Sequence, residues 1–283
     1  MDIRRIMVVG AGQMGRGITQ VAAQAGFEVI LHDAGKGEAE KAVAAIVSGL
    51  ARSVDKGRLT DEQRLETLKR IHTANRMESA ARAGFIIEAV TENLPVKAML
   101  FRELDGICPP ETVFATNTSS LSVTELAAAT SRPERVIGMH FMNPVPVMKL
   151  VELVRGLRTS EEVCKLAGEL AMRMGKTPVE ARDNPGFVSN RILMPMINEA
   201  VYTVYEGVAS IEDVDRVMLL GMNHPMGPLA LADLIGLDTC LAIMETLHVG
   251  FGDSKYRPCP MLRNYVNAGW LGRKTGRGFY AYS

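Results

Sequence analysis

The residues with most to say about chemistry are a histidine and a glutamate set in an apolar stretch, and a glycine-rich loop near the amino terminus. His140 and Glu152 belong to VIGMHFMNPVPVMKLVELV, residues 136–154. That stretch reads as two short apolar strands, 136–138 and 150–154, joined by a proline-bearing turn. His140 falls just past the first strand and Glu152 inside the second. A carboxylate in so apolar a strand is costly unless it is paired. An imidazole is the natural partner, and a His–Glu pair is what general acid–base transfer uses. The competing pattern is a loop histidine beside a glutamate that faces solvent from an edge strand. Taken alone the stretch favours that plainer pattern; the rest of the chain reverses the balance.

The loop is Gly10-Ala11-Gly12-Gln13-Met14-Gly15, which follows the continuous apolar run Ile6–Val9 and opens a helical pattern to about Ala25. The first glycine permits a tight turn and the second lets backbone amides approach a pyrophosphate. The third lets helix and strand pack closely, with the phosphates at the helix amino terminus. A second strand, 27–31, leads into His32-Asp33, about twenty residues past the glycines. A carboxylate there takes the ribose hydroxyls and repels a 2′-phosphate, so Asp33 points to NAD(H) over NADP(H). His32 reads as a bystander on the same turn.

Further parallel-strand candidates recur at 85–90, 113–116 and 136–138, with short helices between them. In doubly wound sheets ligands bind beyond the carboxyl ends of the strands. Those ends carry Ala89, Val90 and Glu92, then Asn117 to Ser120, then His140 to Asn143. A serine such as Ser119 is as often a plain turn hydroxyl as a ligand contact. Residues 36–70 are charged and helical in pattern, with a capping-box start at Thr60-Asp61-Glu62-Gln63. They form two helices about a turn at 56–58, a helical-hairpin insertion in the nucleotide-binding unit. Arg52, Ser53, Lys56 and Arg58 cluster near its tip, either as a solvated helix end or as a handle for a phosphorylated substrate tail.

The chain has 283 residues, 47% hydrophobic and 23% charged, with 32 basic and 32 acidic side chains. No bulk field draws it to nucleic acid or anionic lipid. The apolar run after MDIRR is too short for a signal peptide or a membrane span, so the reading is cytoplasmic. Cys108, Cys164, Cys240 and Cys259 are far apart, which argues for reduced thiols and against a structural metal site. Asp183-Asn184-Pro185-Gly186 breaks the pattern, and every periodic segment from there to about residue 265 is helical. The expected organisation is therefore α/β: a Rossmann-type doubly wound domain over 1–183, then an all-α domain over 184–283. Methionines and alanines in the second domain suit helix packing and a subunit interface. Asn190, in the first of its helices, is either a surface amide or one that faces the cleft between domains. His72 and His248 show no carboxylate context, and the aromatic tail 270–280 is expected to fold back and anchor.

Six segments, VVGAGQMGRGI, IIEAVTE, ATNTSSL, GMHFMNPVPVMKLVELV, DNPGFVSNR and GRKTGRGFY, carry a resemblance along essentially the whole chain. The chain resembles the L-3-hydroxyacyl-CoA dehydrogenase family, most closely its bacterial 3-hydroxybutyryl-CoA branch. The resemblance implies that His140 is the acid–base residue and Glu152 its partner, with Ser119 and Asn190 contacting the substrate carbonyl. It implies that Asn143 helps position the histidine, that Glu92 and Lys97 lie near NAD, and that Arg52, Ser53 and Lys56 belong to a coenzyme A surface. A homodimer built through the second domain is also a family expectation. Two rivals remain at this stage: a dehydrogenase of a free hydroxy acid on the same plan, which would need a carboxylate clamp, and a non-catalytic NAD-binding protein.

Overall fold

A computed structural model describes residues 3–282, which divide between Asp183 and Asn184 into two compact units. The first unit is built on one eight-stranded sheet. Its strands are β1 (Arg5–Val9), β2 (Glu28–His32), β3 (Ile71–Ala74), β4 (Phe85–Glu88), β5 (Val113–Thr116), β6 (Val136–Phe141), β7 (Leu150–Arg155) and β8 (Thr177–Arg182). The spatial order is β3-β2-β1-β4-β5-β6-β7-β8. Strands β1 to β6 run parallel, β7 runs antiparallel to β6, and β8 is parallel to β7. The order reverses between β1 and β4, and such a switch point is where a doubly wound sheet opens a crevice for a nucleotide.

The central strands are apolar because helices cover both faces of a parallel sheet. Every residue of β4, β5 and β6 is buried. Helix α1 (Gln13–Gln24) follows β1 at once. Helices α2 (Glu38–Asp55) and α3 (Asp61–Lys69) form the hairpin insertion, and Thr60 with Gln63 makes the reciprocal capping box. After it come α4 (Leu94–Ile107), α5 (Val123–Ala127) and α6 (Glu161–Arg173).

Three elements depart from the sequence reading. Strand β3 has two exposed residues in four and exists through its pairing with β2. At the other edge β8 carries Pro178 and is mostly exposed, a composition tolerated only where one side of the strand lacks a neighbour. Strand β6 runs on to Phe141, so His140 lies within it and not past it. Pairing with β5 ends at Gly138, and pairing with β7 carries the strand on from Gly138 to Phe141. His72 does have a carboxylate partner: Nε2 lies 3.0 Å from Glu28 Oε2 in an exposed pair.

The second unit contains α7 (Ser189–Tyr205), α8 (Ile211–Gly221), α9 (Pro228–Ile235), α10 (Leu237–Phe251) and α11 (Pro260–Asn267). These bury one apolar core, including Met194, Ile197, Val201, Leu229, Leu247 and Leu262. The aromatic tail folds back onto that core. Buried Asp233 accepts hydrogen bonds from the amides of Phe279 and Tyr280, 2.9 Å each, and from the Tyr282 hydroxyl at 2.9 Å. Tyr280 donates its hydroxyl to Asp215 at 2.9 Å, and Arg277 stacks on Trp270. Among the described residues no helix is long and apolar enough to cross a membrane.

Candidate active site

The loop after β1 is shaped for close backbone approach. Gly10 has φ 103°, and a Cβ there would lie 2.4 Å from the Ala89 carbonyl oxygen at the end of β4. A Cβ on Gly15 would lie 1.7 Å from the Gly10 oxygen, whereas one on Gly12 would meet nothing within 4 Å. Gly10 and Gly15 thus fold the turn, and Gly12 faces open space. Gly12 caps α1 without a side chain, and no acidic residue occupies the first turn. The amides at that end therefore present positive charge to an anion, as a pyrophosphate requires. Met14 packs against the sheet core, and Gln13 donates from Nε2 to Asn143 Oδ1 at 3.1 Å. Asp33 stands just beyond β2, with Oδ2 accepting from Ala11 N at 2.7 Å and Oδ1 from Gly35 N at 2.8 Å. Its carboxylate is held against the glycine turn. These features fit NAD: a bare approach at Gly12, an anion-binding helix end and a fixed carboxylate.

Three strand ends converge beside that loop. At the end of β4, Ala89 N donates to Val9 O at 2.7 Å. Val90 N donates to Glu88 Oε1 at 2.7 Å. Lys97, on α4, is buried and lies 3.3 Å from Glu92 Oε2. Burial pushes the Glu92 carboxyl up, but the charge of Lys97 and the hydrogen bonds from Thr118 and Ser119 outweigh it and hold Glu92 below its ordinary value. After β5, Asn117 N donates to Glu88 O, and Asn117 Oδ1 accepts from Phe141 N at 2.9 Å. This bond ties β5 to β6 one residue beyond His140. Ser119 follows, its amide 2.8 Å and its hydroxyl 3.2 Å from Glu92 Oε1.

On β6, His140 lies directly opposite Glu152 of β7 in the antiparallel register, a position that brings two side chains on one face together. His140 Nδ1 is 2.8 Å from Glu152 Oε2, and the two residues are 8% and 2% exposed. The register rests partly on Gly138, where a Cβ would lie 2.7 Å from Val154 Cβ and 3.0 Å from Val123 Cγ2. A carboxylate only accepts, so an ionised Glu152 places the imidazole proton on Nδ1, and Nε2 is then the ring nitrogen able to accept a proton. The connecting loop is pinned in turn. Gly17 admits Val145 against α1, and Lys176 donates from Nζ to the carbonyls of Val145 and Met148. Burial lowers the pKa of Lys176.

A cavity of ≈ 430 Å³ lies between α1, α2 and the Asn143 loop, lined among others by Gln13, Arg16, Ser48, Arg52 and Asn143. Arg52 therefore faces the same side as the glycine loop. Ser53 donates its hydroxyl to Gly49 O at 3.1 Å on its own helix, and Lys56 is exposed at the carboxyl cap of α2. Asn190 lies on α7 of the second unit and is buried. His32 is buried with Nδ1 2.8 Å from Ala74 O, so its ring serves β3.

Residues 5–184 match the model of the 3-hydroxyacyl-CoA dehydrogenase NAD binding domain, and residues 186–282 match that of the 3-hydroxyacyl-CoA dehydrogenase C-terminal domain. The chain belongs to the 3-hydroxyacyl-CoA dehydrogenase family. As a member it is an NAD-dependent oxidoreductase. It is 61% identical over 282 residues to a probable 3-hydroxybutyryl-CoA dehydrogenase of Bacillus subtilis, covering 100% of this chain and 98% of that one. It is 52% identical over 280 residues to the 3-hydroxybutyryl-CoA dehydrogenase of Bradyrhizobium diazoefficiens, covering 99% and 96%. The crystal structure of (S)-3-hydroxybutyryl-CoA dehydrogenase from Ralstonia eutropha superposes with a TM-score of 0.97 at 49% identity, over 100% of both chains. The matching models and these relatives are named for hydroxyacyl-CoA dehydrogenases, which counts against the free-acid and non-catalytic alternatives. Glu88 is absent from the sequence-based set of site residues although IIEAVTE contains it; an acidic residue ending so apolar a strand is the signal that marks it.

Proposed function

We propose that this dehydrogenase interconverts (S)-3-hydroxybutyryl-CoA and acetoacetyl-CoA, with His140 as acid–base residue. The observation that carries the reading is the buried His140–Glu152 pair across β6 and β7, with β6 next to β5, whose following loop carries Ser119. The names of the relatives over the full chain support the four-carbon substrate. The overall reaction is (S)-3-hydroxyacyl-CoA + NAD+ ⇌ 3-oxoacyl-CoA + NADH + H+. The nicotinamide supplies the hydride chemistry. His140 Nε2 takes the proton of the C3 hydroxyl in the oxidative direction and returns it in the reductive one. Glu152 keeps the ring oriented and offsets the charge of the imidazolium. Ser119 and Asn190 donate to substrate oxygens, aligning C3, and Asn143 and Asn117 keep the strand end and its loop in place. Arg52, with Ser53 and Lys56, receives the phosphates of coenzyme A, Arg52 from the cavity wall and Lys56 from the hairpin tip.

Asp33 sets the choice of cofactor. Asp33→Asn is expected to weaken NADH binding about tenfold, the order of one charge-assisted hydrogen bond, and to narrow the preference over NADPH. Fluorescence titration with both nucleotides checks this; an unchanged preference would remove Asp33 from the ribose site. We also infer a cytoplasmic homodimer joined through the second unit. The exposed apolar side chains Val208, Val217, Leu220 and Met222 on and around α8 support that reading.

The direct test of substrate is steady-state reduction of acetoacetyl-CoA beside a long-chain 3-oxoacyl-CoA. A higher kcat/KM for the short thioester supports the assignment, and the reverse order sinks the four-carbon preference.

A further inference from the structure

Beneath Ser119 lies a closed ring of polar side chains. Glu88 ends β4 and is fully buried. Its Oε1 accepts from Lys97 Nζ at 2.5 Å and from Val90 N at 2.7 Å, and its Oε2 accepts from Thr116 Oγ1 at 2.6 Å. Lys97 also reaches Glu92 Oε2 at 3.3 Å and the Val90 carbonyl at 3.4 Å. Glu92 Oε1 accepts from Thr118 Oγ1 at 2.6 Å, and Thr118 N donates to Thr116 Oγ1 at 3.2 Å, which closes the ring.

Glu88 and Lys97 are buried while Glu92 is exposed, and a buried carboxylate–ammonium pair is a poor way to stabilise a fold. Charges withdrawn from water repay their desolvation only when every bond is made, and well-packed apolar groups of similar size often do as well or better. The arrangement is more telling as a positioning device. Three donors converge on Glu92 Oε1, and the Ser119 hydroxyl is the most distant of them at 3.2 Å. A carboxylate oxygen only accepts, so the hydroxyl proton points to Glu92. Being the longest bond of the three, it is the first to be exchanged when a substrate oxygen arrives.

We propose that Glu88 is a positioning residue for Ser119: through Lys97 on one side and Thr116 and Thr118 on the other, it fixes Glu92 so that the Ser119 hydroxyl is held ready to turn to substrate. The proposal rests on the reading of Ser119 as a substrate contact. Without the Glu88 charge, Glu92 is the carboxylate left to Lys97 beside the Val90 carbonyl, and the ammonium draws it away from Ser119. Glu88 touches neither substrate nor cofactor in this account; because Glu92 and Lys97 are expected near NAD, an effect that passes through Ser119 is told apart by a loss in kcat with NADH affinity kept.

The test is a double-mutant cycle on acetoacetyl-CoA reduction with Glu88→Gln, Ser119→Ala and the pair, beside NADH affinity and thermal midpoint for each. A second arm uses Thr116→Val, close in shape, which breaks the other side of the ring while keeping Glu88 and Lys97. We expect Glu88→Gln to lower kcat about tenfold in the parent and to have little effect on kcat once Ser119 is alanine. Thr116→Val should show the same dependence with a smaller loss. Equal losses in both Ser119 backgrounds would overturn the proposal and leave the Ser119 assignment standing. Full activity of Ser119→Ala would remove Ser119 from the substrate site and the proposal with it. Should Glu88→Gln fail to fold, the Thr116→Val cycle decides between the same outcomes.

Discussion

Replacing His140 by glutamine should lower turnover of acetoacetyl-CoA by about 10²–10⁴-fold, the range for losing a positioned proton-transfer group. NADH affinity should be unchanged. The glutamine amide fills similar space and can still meet Glu152, but no atom of it exchanges protons as Nε2 does. The expectation is specific because His140 sits within a strand whose neighbours on both sides fix it: Asn117 holds the amide of Phe141, and β7 pairs across it. Steady-state kinetics with NADH titration separates the two effects. A comparable loss of NADH affinity would mean that the histidine serves the cofactor and not the proton.

Glu152→Gln is expected to come close to the same loss, about 10²–10⁴-fold in kcat, although Glu152 touches no reacting atom. Glu152 is 2% exposed, and its Oε2 receives His140 Nδ1 at 2.8 Å. Glutamine keeps the shape and removes the charge. The imidazolium formed while His140 holds the proton then has no counter-charge in a buried place, and the amide can present its NH₂ to Nδ1 and so select the wrong tautomer. KM for the thioester should change much less than kcat, and the pH profile of kcat should move in Glu152→Gln while that of Asp33→Asn stays in place. A profile that does not move would show that the carboxylate serves only the fold.

The nucleotide half was legible because its signals are local. Apolar β1 runs straight into Gly10, Gly12 and Gly15, and the steric demands at Gly10 and Gly15 admit no other residue. The pairing of His140 with Glu152 was legible for a different reason: a lone carboxylate in the apolar strand β7 needed a partner. What remained hidden depends on neighbours distant in sequence. Strand β3 is too short and too exposed to show a period, and Pro178 disguises β8 as a loop. His140 looked like a loop residue because only β7 continues β6 past Gly138. The Glu28–His72 pair follows from the β2–β3 register, which no local pattern announces. Glu88 is the instructive omission. Its carboxylate ends an apolar strand, which is a signal the sequence does carry, but its partners Lys97 and Thr116 lie on α4 and β5, and only the fold brings them to it.

The most direct test of the central claim compares NADH oxidation with acetoacetyl-CoA and with free acetoacetate, using His140→Gln as the control. Rapid oxidation with the thioester alone, lost in the variant, is the predicted result. Turnover of the free acid at a comparable rate, or full activity of His140→Gln on the thioester, would contradict the account.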